Sequence, residues 1–478
     1  MQNRYSRHLI HLFKQPQRLK SAELVGAVQA QIPAEFNPKD WLSYLLHVDA
    51  ELEHSLMVQY LYAAYSLGGP QVLDKYKAKV HAWQEIVLGI AKEEMGHFVS
   101  VQNVLRLIGA PLNFNRQDFP WDSVLYPFEF KLEPFSKDSL AKYVYAESPE
   151  NWLNDTDGDD DEMKEIKAEI KAVINTEENH GDPISVLFKQ ILAIIEDDQL
   201  IPDDVFLSGT YPFQAKFDEW GRGYKGGARG NSSGANPQGT PDVLVAPLLS
   251  RTDAITALNK IAEQGEAMEE VDGEDSHFER FLTIYKEWRK MPQDFEPTRP
   301  VATNPTVNET VADPTYSPSE GLDTDSKIDV ITNPVAKTWG NLFNVRYRML
   351  LTFLTHSFLL DGGFNNSGAY SPRGTIIHAT FGEMYNLRGI AGVLVQLPIA
   401  VGSSTMAGPP FLTPYTMELP LGEISRWKVH QDLVQASKPL IEELLLTADE
   451  QHKKYLYSLK EADENFQKIA TAIINVPA

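Results

Sequence analysis

The sequence has 478 residues, of which 42% are hydrophobic, and it carries a formal net charge of −23. So acidic a chain lacks the basic surface that a general nucleic-acid binder or an anionic-membrane binder needs, and we exclude both classes. It contains no cysteine, which excludes disulfides, thiolate catalysis and cysteine-bound metal centres. A bound metal would therefore have histidine, aspartate or glutamate ligands, which suit iron, manganese or zinc.

The distribution of residue types predicts four parts of the chain. Residues 1–40 form an amino-terminal arm, 41–295 a helical bundle, 296–332 a linker rich in proline and threonine, and 333–478 a helical region that packs on the bundle. The arm is basic but has no apolar run of signal-peptide length, so we expect a cytoplasmic protein. No stretch approaches about 20 uninterrupted apolar residues, and no transmembrane helix is expected.

The first strong helix is predicted over 41–67, where the Gly-Gly-Pro sequence at 68–70 ends it. Glu53, Met57 and Tyr60 recur at helical spacing and share one face. That face is otherwise mostly apolar, and a carboxylate is costly to bury there unless a partner compensates its charge.

The second helix is predicted over 76–108 and ends at Gly-Ala-Pro, 109–111. Glu94 and His97 lie three residues apart, so they share a helix face that is also mostly apolar. A metal ion is one partner that would compensate both groups. Because only a short link joins the two helices, we expect an antiparallel pair that brings Glu53 level with Glu94 and His97.

A long crossover follows this pair. It contains a short helix that Ser136 caps and Pro149 closes, with Glu147 at its end. We interpret the acidic run 155–162 as a solvated turn, because it lacks the pattern of a calcium loop. The glycine-rich stretch 208–247 lacks the closing Gly-Lys-Ser/Thr of a phosphate loop, and we predict a long loop there.

Residues 254–291 hold a second set of acidic and histidine side chains. One predicted helix carries Glu263 and Glu266. After an acidic break, the next carries His277, with Glu274 three residues before it. A short first link, a long crossover and a second ligand-bearing region are the order of a ferritin-like bundle.

The last third of the chain is predicted to be helical as well. Two apolar helices cover 337–360 and 375–398, and 423–475 gives one or two amphipathic helices. We assign structural roles to His356, His378 and Glu383.

The predicted fold class is therefore all-α, a ferritin-like four-helix bundle with long irregular loops and an additional carboxyl-terminal helical region. The predicted metal ligands are Glu53, Glu94, His97, Glu147, Glu266 and His277. This donor set suits a dinuclear site of iron or manganese, which would react with dioxygen, peroxide or a chelating small molecule. Tyr60 is the predicted catalytic residue, as a hydrogen-bond donor to a ligand or as a radical relay.

Less specific interpretations stand beside these. A Glu-x-x-His sequence often forms a surface pair, Glu147 could be a surface carboxylate at a helix end, and Tyr60 a hydrogen-bonded core residue. Glu93 is turned about 100° from Glu94, so we interpret it as solvated or paired. The whole protein could also bind or store metal without turnover, or be a structural helical protein whose site has decayed.

Four stretches carry a resemblance to a known family: AELEHSLMVQYLYAAYSL, EEMGHFVSVQNVLRLIGAP, LAKYVYAESPE, and EQGE followed by SHFERF. They resemble the ferritin-like domain of the iminophenyl-pyruvate dimer synthase family, over most of 40–290 and more weakly over 335–420. The resemblance implies an iron or haem enzyme that couples two oxidised, amino-acid-derived imines in pathways such as that of violacein. It implies the same six metal-site positions and a small-molecule substrate, and it leaves a homo-oligomer open.

Overall fold

The computed structural model describes residues 32–121, 125–154, 158–176, 181–220, 243–267, 275–308, 327–361, 371–413 and 417–475. These residues hold twelve α-helices and one short pair of strands, so the all-α prediction is confirmed. Those up to Thr298 form one compact unit, and those from Arg299 onward form a second. No helix within the described ranges is both long and apolar enough to cross a membrane.

The described part of the first unit contains eight α-helices. They are α1 (Pro38–Ser66), α2 (Asp74–Leu107), α3 (Lys137–Ala146), α4 (Asp161–Ile174), α5 (Ile184–Ile195), α6 (Phe217–Trp220), α7 (Arg251–Glu266) and α8 (His277–Arg289). Two short 3-10 helices, Asp203–Val205 and Ser208–Phe213, lie between α5 and α6. Most of the glycine-rich stretch predicted as a loop, 221–242, lies outside the described residues.

Local sequence sets where the helices of this unit begin. The Asn37 side chain accepts a hydrogen bond from the backbone N–H of Asp40, and Pro38 occupies the first helical position of α1. At α3 the side chains of Ser136 and Ser139 each accept from the other residue's backbone N–H, which forms a capping box. The predicted cap at Ser136 is confirmed.

Helices α1 and α2 lie against each other in antiparallel directions. Gln84 Nε2 donates to the carbonyl oxygen of Ala64 at 2.8 Å, and the rings of His54 and Phe98 stack 4.9 Å apart. A lower residue number on α1 thus pairs with a higher residue number on α2. This confirms the predicted antiparallel pair. Around them, α5 contacts α1 and α7, while α8 contacts α2, α3 and α7.

A segment without regular secondary structure, residues 243–247, lies directly on α2. A Cβ atom at Gly96 would come within 2.8 Å of Val243 Cγ1, so glycine permits this close approach. Ser100 Oγ donates to the carbonyl oxygen of Leu244 at 2.6 Å. The segment is therefore fixed on the turn of α2 that carries His97.

The second unit contains a small sheet and four helices in its described residues. They are β1 (Pro305–Thr306), β2 (Asp329–Val330), α9 (Pro334–Ser357), α10 (Pro372–Leu394), α11 (Glu423–Thr447) and α12 (Glu450–Ile474). The strands pair in parallel, and α9 packs on α10 and α11, with α12 on α11. The predicted packing of this region on the bundle stays a prediction.

Buried polar contacts join the helices of the second unit. The Arg346 guanidinium pairs with Glu383 on α10 and with Asp463 on α12. His356 Nδ1 lies 2.8 Å from His430 Nε2. These contacts suit the structural roles predicted for His356 and Glu383, because an unpaired buried charge would be costly.

Candidate metal centre

Helix α1 contributes three buried polar side chains on one face: Asp49, Glu53 and Tyr60. They are 0%, 2% and 0% exposed, respectively. Tyr60 Oη donates to Glu147 Oε1 at 2.5 Å. Glu147 follows the last residue of α3 as its C-cap and is 4% exposed, so it is not the surface carboxylate of the alternative interpretation.

Glu94 of α2 lies between two imidazoles. Its Oε2 is 3.1 Å from Nδ1 of His97, and its Oε1 is 2.7 Å from Nδ1 of His277. The two rings lie 5.3 Å apart and are nearly parallel. Each oxygen of one carboxylate thus faces a different histidine.

A further carboxylate stands beside each imidazole. Glu53 Oε2 is 3.5 Å from Nδ1 of His97, which confirms that α1 and α2 bring these residues level. Glu147 Oε2 is 3.7 Å from Nδ1 of His277. The structure therefore brings five of the six predicted ligands together as two halves that share Glu94.

Glu266, the sixth predicted ligand, is the last residue of α7 and is half-buried. Burial, together with the charges of Glu147, Glu150 and Glu53, raises its pKa to about 8, against the opposing effect of Lys189. It therefore borders the Glu147 side of the cluster. Of the other two acidic residues named in this region of the sequence, Glu263 is exposed, and Glu274 lies outside the described residues.

The outer nitrogen of each imidazole also has a partner. His97 Nε2 lies 2.9 Å from Gln264 Oε1, and His277 Nε2 lies 2.7 Å from Glu93 Oε2. Glu93 is 0% exposed and also pairs with the Arg280 guanidinium. Solvation of Glu93 was therefore the wrong alternative, and pairing is the observed one.

Sequence reasoning missed three members of this cluster: Asp49, Gln264 and Arg280. Asp49 could have been found, since it lies four residues before Glu53 on the same helix face. Gln264 and Arg280 gave no such signal, because their partners lie 167 and 187 residues away.

Burial and mutual repulsion shift the pKa values of the cluster. The pKa of Glu94 lies well above its usual value because the group is desolvated and stands beside Glu53 and Glu147, although His277 opposes this. Burial would lower the pKa of His277, but Glu94, Glu147 and Glu93 raise it to about 10. Burial would raise the pKa of Glu93, yet Arg280 and His277 lower it to about 2.

The residues fit a metal ion. Glu94, His97 and His277 offer ligand atoms that all lie within 4.8 Å of one another. Within the described chain, Glu53 Oε2, Glu94 Oε1 and His277 Nδ1 are buried and make no hydrogen bond, although the last two lie 2.7 Å apart as an ion pair. Since buried polar atoms are normally satisfied, metal ions bound in the two halves of the cluster would account for these atoms.

This charge balance predicts a pH dependence for the metal-free protein. His277 and Glu266, with pKa values of about 10 and about 8, bind protons more tightly folded than unfolded. Their stabilising contributions are complete below the unfolded pKa values of about 6.5 and 4.3, and are lost as the pH rises through the folded values. We expect the free energy of unfolding to fall from about pH 4.3 to about pH 10, by at most about 1.4 kcal/mol per pH unit for each proton.

Urea unfolding in the presence of a chelator, repeated across this pH range, would measure the effect. Glu266→Gln should remove the part of the slope that belongs to Glu266. A free energy that stays level or rises with pH would contradict the prediction.

Comparisons with known proteins agree with this architecture. A family model described as "Ferritin-like" matches residues 46–286. Dichlorochromopyrrolate synthase of Lentzea aerocolonigenes is 27% identical over 398 residues, which are 75% of this chain and 34% of that protein. 2-Imino-3-(indol-3-yl)propanoate dimerase of Chromobacterium violaceum is 32% identical over 145 residues, 24% of this chain and 14% of that protein.

The chain thus spans about a third or less of the length of these curated relatives. Among solved structures, a ferritin-like protein from Caulobacter vibrioides is 15% identical, with a TM-score of 0.42, and the similarity covers 75% of this chain and 95% of that one. The stretch matched by the family model makes up half of the sequence and contains all six predicted metal-site residues. The chain therefore belongs to the ferritin-like family, and its curated relatives confirm the resemblance to the iminophenyl-pyruvate dimer synthases.

Proposed function

We propose that this chain is an oxidoreductase that uses two iron or manganese ions to oxidise a small organic molecule with dioxygen or peroxide. The observation that carries the proposal is the position of Glu94, whose two oxygens face Nδ1 of His97 and Nδ1 of His277. A carboxylate shared between two imidazoles is the arrangement expected where two ions share a ligand.

In this proposal each half of the cluster holds one ion. His97 and Glu53 would bind the first, His277 and Glu147 the second, and Glu94 would bind both. Glu266, beside Glu147, is the sixth ligand. Once bound, such ions would supply redox chemistry and open positions for an oxidant.

The outer partners prepare the imidazoles for this role. Gln264 Oε1 can only accept, so it favours the proton on Nε2 of His97 and leaves the Nδ1 lone pair for a metal. Glu93 has the same effect on His277, and Arg280 holds the Glu93 carboxylate in place. The protein thereby fixes both ring orientations before any ion binds.

We propose Tyr60 as the hydrogen-bond donor that orients Glu147, because its hydroxyl is buried and donates to Oε1. Tyr60→Phe should retain the metal but slow dioxygen consumption by the iron(II)-loaded protein about 10- to 100-fold, a typical loss when a hydrogen bond to a metal ligand is removed. Tyr143→Phe is the matched control, since the ring of Tyr143 lies 4.8 Å from that of Tyr60 and its hydroxyl interacts with Ser139 instead. Equal rates in the two variants would make Tyr60 a core residue only.

A cavity beside the His97 half gives the substrate a place to bind. It is lined by Ser100, Phe217, Ala257, Lys260, Ile261 and the segment 243–247. Ser100 lies one turn after His97, and Ile261 lies one turn before Gln264. The walls are mainly apolar, and Lys260 is exposed, so the cavity suits an apolar molecule with an acidic group.

The names of the relatives narrow the substrate class. One curated relative is a dimerase of 2-imino-3-(indol-3-yl)propanoate, an imine that carries a carboxylate. We propose an amino-acid-derived imine of this kind as the substrate here. A homo-oligomeric assembly stays a prediction.

Metal analysis of purified protein tests the proposal. We expect close to two equivalents of iron or manganese per chain, and dioxygen or peroxide consumption that depends on an added imine. Glu94→Ala combined with His97→Ala should abolish both. His81→Ala combined with Glu85→Ala is the matched control, because this pair lies exposed on the same helix.

Each outcome has a defined meaning. Iron oxidation without any change in an organic molecule would favour a metal-binding or storage protein. If no metal binds or raises the thermal stability, the structural alternative is favoured, since a ligand of the native state must stabilise it.

A further inference from the structure

Asp49 is a buried acidic residue. It has no role in the helix contacts described above and is not one of the six proposed metal ligands. It is 0% exposed, and neither of its carboxylate oxygens has a hydrogen-bond partner in the described residues. Leaving a polar group in this condition costs free energy, so a native protein rarely does so without a ligand.

The position of Asp49 on α1 directs it toward the metal centre. It precedes Glu53 by one helical turn, and side chains at this spacing are neighbours, with Cβ atoms about 5–6 Å apart. The charges that act on Asp49 are those of Glu53 and His97. Asp49 therefore belongs to the His97 half of the cluster.

The two halves are unequal in carboxylates without Asp49. Beside the shared Glu94, the His277 half has Glu147 at 3.7 Å and the nearby Glu266. Among the described residues, the carboxylate beside His97, apart from Glu94, is that of Glu53. Asp49 would give this half a second carboxylate of its own.

The buried carboxylates of this half also exceed the cationic groups that contact them. Glu53 Oε2 is buried without a hydrogen-bond partner in the described chain, as are both oxygens of Asp49. Among the described residues, the His97 imidazole, 3.5 Å from Glu53 Oε2, is the cationic group in contact with Glu53. Two buried carboxylates one turn apart need a cation between or beside them.

We infer that Asp49 is a further ligand of the metal ion in the His97 half, together with Glu53 and His97. The inference rests on the proposed function, since it assumes that an ion binds there. Carboxylate oxygens suit manganese and iron(II), which are the metals proposed for this centre.

Titration of the metal-free protein with Mn²⁺ tests this inference. We expect two ions per chain in the wild type, and in Asp49→Asn one ion that binds as before and a second that binds at least about tenfold more weakly. Glu51→Gln is the matched control on the same helix, since Glu51 bonds instead to Asn113 and Gln117. It should bind two ions with wild-type affinity.

Thermal stability gives a readout that does not depend on activity. Asp49→Asn should raise the melting temperature of the metal-free protein, because it removes an uncompensated buried carboxylate. The same substitution should reduce the rise in melting temperature that Mn²⁺ produces. If Asp49 binds no metal, Asp49→Asn should shift the melting temperature equally in the metal-free and the Mn²⁺-loaded protein. That result would overturn the inference.

Anomalous density in a Mn²⁺-soaked wild-type crystal provides a second test that no folding defect can affect. An ion in contact with an oxygen of Asp49 supports the inference. Two ions that both lie away from Asp49, or two ions bound normally by Asp49→Asn, overturn it and leave the proposed function standing. A wild type that binds neither manganese nor iron overturns both.

Discussion

Glu94→Gln is expected to abolish binding of both metal ions and to reduce turnover at least about 10³-fold. The amide has no negative charge, and its nitrogen would face Nδ1 of either His97 or His277 where an acceptor oxygen now stands. Each ion would thereby lose charge compensation, and one would lose a ligand atom. Elemental analysis and dioxygen consumption by the iron(II)-loaded protein would measure the two effects.

Single histidine variants sharpen this test. His97→Ala and His277→Ala should each lose one ion, because each imidazole belongs to one half. Glu85→Gln, on an exposed position of the same helix, should retain both. If Glu94→Gln keeps one ion at full affinity, Glu94 serves a single ion and the shared-ligand interpretation is wrong.

Arg280→Met is expected to destabilise the metal-free protein by about 3–5 kcal/mol, which is typical when one partner of a buried ion pair is removed. Glu93 would be left 0% exposed, with His277 as its remaining partner. That carboxylate depends on Arg280 for its low pKa, so the His277 ring would also lose its fixed support. Urea unfolding would measure the loss.

Arg289→Met is the matched control on the same helix. Arg289 pairs with Glu165 and Glu169, whose side chains are 68% and 36% exposed. An exposed pair contributes at most about 1 kcal/mol, so this variant should be nearly neutral. Equal losses in the two variants would show that the Glu93–Arg280 contact has no special importance.

The sequence by itself determined where the helices lie and which helix faces carry Glu53, Glu94 and His97. Glycine and proline positions marked the ends of α1 and α2, and the Ser136 cap marked the beginning of α3. Helical periodicity then placed Glu53 on one face of α1, and Glu94 with His97 on one face of α2. These are local properties, and they can be predicted because side chains repeat around a helix axis every 3.6 residues.

Only the tertiary structure decided which groups meet across helices. The sequence allowed Glu93, one residue before Glu94, to be either solvated or paired. In the fold, α8 places Arg280 and His277 against its carboxylate. Gln264 reaches His97 from α7, and Asp49 is buried without a hydrogen-bond partner in the described chain. Periodicity gives the direction of a side chain around its helix axis. It does not give the depth of burial or the partner, because these depend on how residues far apart in the sequence pack together.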